Sequence, residues 1–259
     1  MENSPLNSFH PLIKEWFSTI GEATDIQAKA WPLIARGEHV LVTAPTGSGK
    51  TLTAFLWAIN QLVTGAWPPS MIRVLYISPL KALNNDIRRN LLGPLEELRE
   101  LFRSRNLPFP DIHVATRSGD TPDDERRRMM RRPPEILVTT PESLNIMLTS
   151  KKGRELFRGI ETLILDEIHA IFTSKRGVHC MTAVERLIPL SGEFQRIALS
   201  ATVKPPEEVA TFVGGYIPQG SDPDSHYEPR KVTILKSERK KEYDITVAFP
   251  ADEIGRAHV

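Results

Sequence analysis

At 259 residues and 40% apolar side chains, the chain is long enough for one large domain or two small ones, and its net charge of +1 gives no global pull toward nucleic acid or an anionic membrane. No stretch approaches the ~18–20 apolar residues of a bilayer span, and residues 1–16 lack the basic start and apolar core of a secretory leader. Cys180 is the single cysteine, which excludes an internal disulfide and fits a reducing, cytoplasmic setting; between His179 and Met181 it is expected to pack rather than react.

In chain order, residues 1–37 are expected to form a helical preface, with Trp16 and Trp31 in its core. Short runs rich in Val, Ile and Leu then recur: 39–44 (HVLVTA), 72–78 (IRVLYIS), 112–116 (IHVAT), 135–140 (EILVTT), 162–166 (TLILD) and 196–201 (RIALSA). They alternate little, as strands buried on both faces do. Between them, residues 50–63, 83–102, 141–149 and 178–190 carry apolar side chains at helical spacing, Trp57 among them. Strand and helix in alternation predict an α/β fold, a mostly parallel sheet with helices on both faces. The domain so defined spans residues 38–215. Residues 216–230 (YIPQGSDPDSHYEPR) are polar and proline-rich and read as a loop or linker. Beyond them 232–235 and 244–249 are possible strands, separated by a charged, solvated turn at 236–241.

The segment APTGSGKT, from Ala44 to Thr51, follows an apolar strand and opens a helix. Small residues let the main chain of Thr46, Gly47, Ser48 and Gly49 curl so that N–H groups face phosphate oxygens, and the helix N-terminus adds positive potential. Lys50 is placed to reach the terminal phosphates of ATP and the Thr51 hydroxyl to ligate Mg²⁺. Ala44 departs from the usual pattern, standing where a glycine is expected. Downstream, TLILDEIH ends a buried strand on two adjacent carboxylates. At that edge of an open sheet Asp166 is placed to hold the metal, and Glu167 to orient and deprotonate water.

Asp166-Glu-Ile-His169 resembles motif II of the superfamily 2 DExH/DEAD-box helicases, and other motifs stand in that family's order. Thr24 to Gln27 (TDIQ) resembles the adenine-sensing Q motif, with Phe9 where a stacking aromatic is often found. Residues 78–83 (SPLKAL) resemble motif Ia, 139–144 (TTPESL) motif Ib, and Ser200-Ala-Thr202 motif III. The likeness covers about residues 9–214. It implies a RecA-like P-loop NTPase domain, ATP and Mg²⁺ as cofactors, and coupling through His169, Ser200 and Thr202. The stretches RSGDTP from Arg117, DEIHAI from Asp166 and KRGVH from Lys175 are similar to the large helicase-related (Lhr) family. That likeness implies a repair-associated DNA motor moving 3′ to 5′. A Ski2-like or RNA-directed helicase, a non-translocating P-loop ATPase and a nucleic-acid-binding module with a vestigial nucleotide site remain as alternatives.

Single strands are held chiefly by their phosphates, at loops on one edge of such a sheet. Candidate contacts are Pro79, Lys81, Arg117, Gly119, Thr139, Thr140, Pro141 and Glu142. The arginines at 126–128, 131 and 132 follow Asp123-Asp-Glu125 and read equally as a charge-balanced helix. His179 is expected in packing or a loop bond. Motors of this class close ATP against a second RecA-like domain, toward which residues 216–253 are expected to lead. Residues 254–259 (IGRAHV) match the translation of a common sequencing adapter, so they are expected to be read-through rather than evolved protein, and the segment alone is expected to hydrolyse ATP near background.

Overall fold

The Val-, Ile- and Leu-rich runs line up as neighbours in one sheet. A computed structural model describes residues 4–79, 87–201, 203–220 and 226–237. Its main sheet has seven strands, β1 (His39–Thr43), β2 (Val74–Ile77), β3 (Val114–Arg117), β4 (Ile136–Thr139), β5 (Thr162–Leu165), β6 (Gln195–Ser200) and β9 (Val232–Lys236), in the order β3-β4-β2-β5-β6-β1-β9. All pairings within it are parallel, so the strands' C-terminal ends open on one rim. Two apolar clusters cover its faces, one built around Trp31, Phe55 and Tyr76, the other around Leu41, Leu163 and Leu187. This explains the missing alternation: both faces are dry.

The preface holds α1 (Pro11–Ile20) and α2 (Asp25–Ala35), and α3 (Lys50–Val63) follows β1. A single π turn (Arg88–Leu92) leads into α4 (Gly93–Ser104), so the described part of the helix expected at 83–102 changes pitch; residues 83–86 lie outside the described residues. Pro94 has no N–H to return to the preceding turn, which favours that widening. Next come α5 (Asp123–Arg131), α6 (Pro141–Thr149) and α7 (Lys151–Glu155). The helix expected at 178–190 begins earlier, as α8 (Lys175–Glu185), because the Ser174 side chain caps it by accepting from Gly177 N; α9 (Ile188–Ser191) is separate. After β6 the chain forms α10 (Pro206–Gly214).

Residues 216–230, expected as a loop or linker, carry two short strands instead. β7 (Tyr216–Gln219) and β8 (His226–Pro229) form an antiparallel ribbon. Ribbon strands this exposed carry no apolar alternation to read. The sheet also continues past residue 215, since β9 lies in register beside β1. Arg230 (5% exposed) ties the ribbon to the body, beside the fully buried Arg196, which fastens the end of α10. Arg196 Nη1 donates to Glu185 and to the carbonyls of Val213 and Gly214, while Arg230 forks onto Glu193 and reaches Tyr216 O at 2.8 Å. The possible strand at 244–249 and residues 254–259 lie outside the described residues. Among the described residues no helix is long and apolar enough to cross a membrane.

Candidate functional site

The loop between β1 and α3 turns on two glycines in the left-handed region, Gly47 (φ 81°) and Gly49 (φ 83°). At Gly49 there is a second constraint: an added Cβ would lie 2.7 Å from Gln27 Nε2. Ala44 is not among the residues with positive φ, so its methyl is tolerated where the usual pattern has glycine. Its N–H donates to Ser200 O at 3.2 Å. Lys50, 8% exposed, donates Nζ to the carbonyls of Ala44 (2.6 Å) and Pro45 (3.0 Å), which holds the amine inside the curl of the loop. Thr46 and Gly47 form its exposed tip, and Thr51 follows half-buried as the second residue of α3.

The α2 residues press on this loop from the side. Thr24 caps α2: its side chain accepts from Gln27 N, and Gln27 Oε1 accepts from Thr24 N at 2.9 Å. The same Thr24 hydroxyl donates to Ser48 O at 3.1 Å. The Q-motif residues are thus a capping box whose outer side touches the phosphate loop. Phe9 is placed differently from expectation. It is 4% exposed and meets Trp31 and Trp57 edge-on, so it serves the core and offers no open face for stacking a base.

Two strands away, β5 delivers the acidic pair. Asp166 Oδ1 accepts from Glu167 N at 2.9 Å, and Oδ2 accepts from the hydroxyl of Tyr76 in β2. Tyr76 is fully buried and stacks on Phe55 of α3. Burial lifts the Asp166 carboxyl above the usual range; the Glu167 charge adds to this, while the bonds from Tyr76 and Glu167 N and the Lys50 charge oppose it. Lys50 and Asp166 therefore lie within electrostatic reach of one another. Glu167 holds φ at 47°, a left-handed conformation that is costly for a residue with a side chain and is met mostly where surroundings enforce it. Its Oε2 lies 3.1 Å from His169 Nδ1. That same nitrogen is 3.3 Å from Ser200 Oγ and 3.4 Å from Ala201 N. His169 thus joins the end of β5 to the end of β6. Thr202 lies outside the described residues.

Whether a triphosphate and its cation suit this cradle can be asked of the residues present. Ser48 Oγ is buried without a hydrogen-bond partner, two left-handed glycines let the loop curl, and the Lys50 amine lies inside that curl within electrostatic reach of Asp166. A buried hydroxyl left unsatisfied is costly, and an incoming oxygen or ion would satisfy it. The residues fit the group.

The remaining predicted contacts lie along the same rim. Ser78 N donates to Thr139 O (3.0 Å) and Thr139 Oγ1 to Arg117 O (2.7 Å), lacing the ends of β2, β4 and β3 together. Thr140 caps α6 by accepting from Ser143 N, and Pro141 fills its first turn. Gly119 is exposed, and its carbonyl accepts from Arg126 (2.8 Å). Arg117 is buried, turns its guanidinium to Ser118 O, and burial lowers its pKa. The Glu142 carboxylate is occupied by Arg176, which also donates to Pro79 O at 2.8 Å. Lys81 lies outside the described residues. His179, expected in packing or a loop bond, is exposed on α8, where its carbonyl accepts from Asn145. Cys180 packs as expected, and burial pushes its thiol up to about 12. Sequence reasoning missed Tyr76 and Arg176. A hydroxyl inside an apolar strand was a signal for the first; the second stands in the KRGVH stretch, which carries the family likeness but names no partner for its arginine.

The family described as DEAD/DEAH box helicase matches residues 24–210, a span that includes every motif above except Phe9. The Lhr helicase/probable uracil glycosylase of Mycolicibacterium smegmatis is 47% identical over 253 residues, covering 96% of this chain and 16% of that protein. The ATP-dependent helicase Lhr-Core protein 2 of Thermococcus barophilus is 46% identical, covering 91% of this chain and 27% of that protein. The structure of Mycobacterium smegmatis helicase Lhr bound to ssDNA and AMP-PNP superposes with a TM-score of 0.83 at 46% identity, over 93% of this chain and 29% of that one. The chain therefore spans between 16% and 27% of the length of these two curated relatives.

Proposed function

Because this chain belongs to the DEAD/DEAH box helicase family, we propose that it is the ATP-binding motor domain of an Lhr-type helicase that acts on single-stranded DNA. What supports the proposal is that Ser200 touches both loops: its carbonyl accepts from Ala44 N at the phosphate loop and its hydroxyl meets His169 beside the acidic pair. The matched Lhr structure, bound to ssDNA and AMP-PNP, supports the ligand classes. Movement 3′ to 5′, a repair role and a cytoplasmic location belong to the same proposal and rest on the Lhr likeness.

In this reading, main-chain N–H groups of residues 46–50 bind phosphate oxygens, and Lys50 turns from its carbonyl partners to a phosphate. Thr51 and Asp166 are the residues that would hold Mg²⁺, which when bound supplies charge neutralisation between phosphates. Glu167 orients water and accepts its proton. His169, in contact with Glu167 and with Ser200, carries the state of the acidic loop to the end of β6. Gln27 reads the adenine edge from beside Gly49. Pro79, Arg117, Gly119 and residues 139–141 hold the nucleic-acid backbone, Glu142 opens the helix behind them, and Lys81 and Thr202 are proposed for the grip and the coupling. An arginine from a second RecA-like domain completes the site; such a residue is worth roughly 10³–10⁵ in turnover.

The test is nucleotide binding and steady-state ATPase on this chain and on a longer Lhr-type protein carrying both motor domains, with single-stranded DNA, single-stranded RNA or neither. This chain should bind nucleotide yet turn over near background in all arms, and the longer protein should respond to DNA. Robust DNA-stimulated turnover by residues 1–253 alone would overturn the two-domain part. Stimulation by RNA only would overturn the substrate.

A further inference from the structure

Arg176 has no role in the reading above, yet its guanidinium joins segments that the reading assigns to nucleic-acid grip. Nε and Nη2 fork onto the two oxygens of Glu142, in the first turn of α6, and Nη1 donates to Pro79 O at the end of β2. Arg176 itself sits in the first turn of α8, shortly after the acidic loop. Three chain segments from three strands thus meet on one planar group. Its hydrogen bonds hold Glu142 below the usual carboxylate range.

Stability does not account for this arrangement. The two side chains are 39% and 51% exposed, and exposed ion pairs contribute about 0–1 kcal/mol. The geometry is nevertheless specific: a fork fits two carboxylate oxygens while its remaining nitrogen reaches a carbonyl, which a lysine cannot reproduce. A weak contributor to stability with a demanding shape is suited to setting position. We propose that Arg176 is a positioning residue that holds Pro79, just past β2, and the N-terminus of α6 at the separation required to grip single-stranded nucleic acid. On this view Glu142 acts through Arg176 rather than by touching the strand, where its charge would repel phosphate.

The inference rests on the nucleic-acid reading of this rim, and the experiment separates the two. Binding of a fluorescein-labelled oligo-dT to this chain is followed by anisotropy for the parent and for Arg176→Ala, Arg176→Lys, Glu142→Ala and the double alanine variant, with thermal melts alongside. Each single alanine variant is expected to weaken binding about tenfold, a ~1.4 kcal/mol change. The double variant should lose no more than either single one, because both break the same contact. Lysine at 176 should fail to restore affinity, and melting points should stay within a few degrees. Additive losses, a loss at 176 without one at 142, or full rescue by lysine would make Arg176 a direct phosphate contact and overturn the proposal. Unchanged affinity in all variants would overturn it while leaving the nucleic-acid reading intact. A parent that binds nucleotide but no oligo-dT would remove that reading and the inference together.

Discussion

Lys50 is held by the carbonyls of Ala44 and Pro45, within reach of Asp166, so its charge is already oriented before any ligand arrives. Lys50→Ala is expected to weaken nucleotide binding about 10- to 100-fold, the range of one charge-assisted hydrogen bond, and isothermal titration would read it. Asp166 yields a prediction about pH. Its folded pKa is raised, so the native state holds this proton more tightly than the unfolded chain does. Ionisation therefore costs stability as pH rises from about 3.9 through the raised folded value, and the penalty is fully present above it. In EDTA, Asp166→Asn should melt higher than the parent at about pH 7, with the gap closing below about pH 4. An Asn variant melting at or below the parent at neutral pH would contradict the assignment. At this scale the sequence was legible where chemistry sits in consecutive residues, as in the phosphate loop and the acidic pair. Tyr76 reaches Asp166 from another strand, and Phe9 is claimed by two tryptophans; both outcomes are decided by packing between distant segments.

Among the elements, α3 and α6 coincide with the expected helices at 50–63 and 141–149 because a cap or a glycine marks each start. The ribbon of β7 and β8 could not be read in the same way. Its strands are mostly exposed and pair only with each other, so no buried stripe appears in the sequence. What fastens it is Arg230, whose side chain is 2% exposed although Glu185 and Glu193 are 38% and 47% exposed. Arg230→Ala should cost about 2–3 kcal/mol, less than a fully buried pair because water screens the two carboxylates. Urea unfolding would show this as a lower midpoint, and Arg230→Lys should recover little, since an ammonium cannot reach Glu193 and Tyr216 O together. A midpoint unchanged in the alanine variant would mean that the cluster does not hold the ribbon.

Across the whole molecule, the parallel sheet sends its predicted chemistry to one rim, while the opposite pole carries turns and the ion pair of buried Arg73 with exposed Glu161. Hydrogen exchange with and without a non-hydrolysable ATP analogue should slow at residues 46–50, 166–170 and 200–201 and remain unchanged at 68–73 and 159–161. Protection spread evenly over both poles would argue against a localised nucleotide cradle. Ser200 links the two sides of that cradle. Its carbonyl takes the N–H of Ala44 and its hydroxyl meets His169, so one residue leans on the phosphate loop with its main chain and on the acidic loop with its side chain. It works as a fulcrum between two levers. Trimming Ser200 to alanine would free one arm and leave the other seated, and any looseness between the loops would then be lopsided, felt at the acids before it is felt at the lysine.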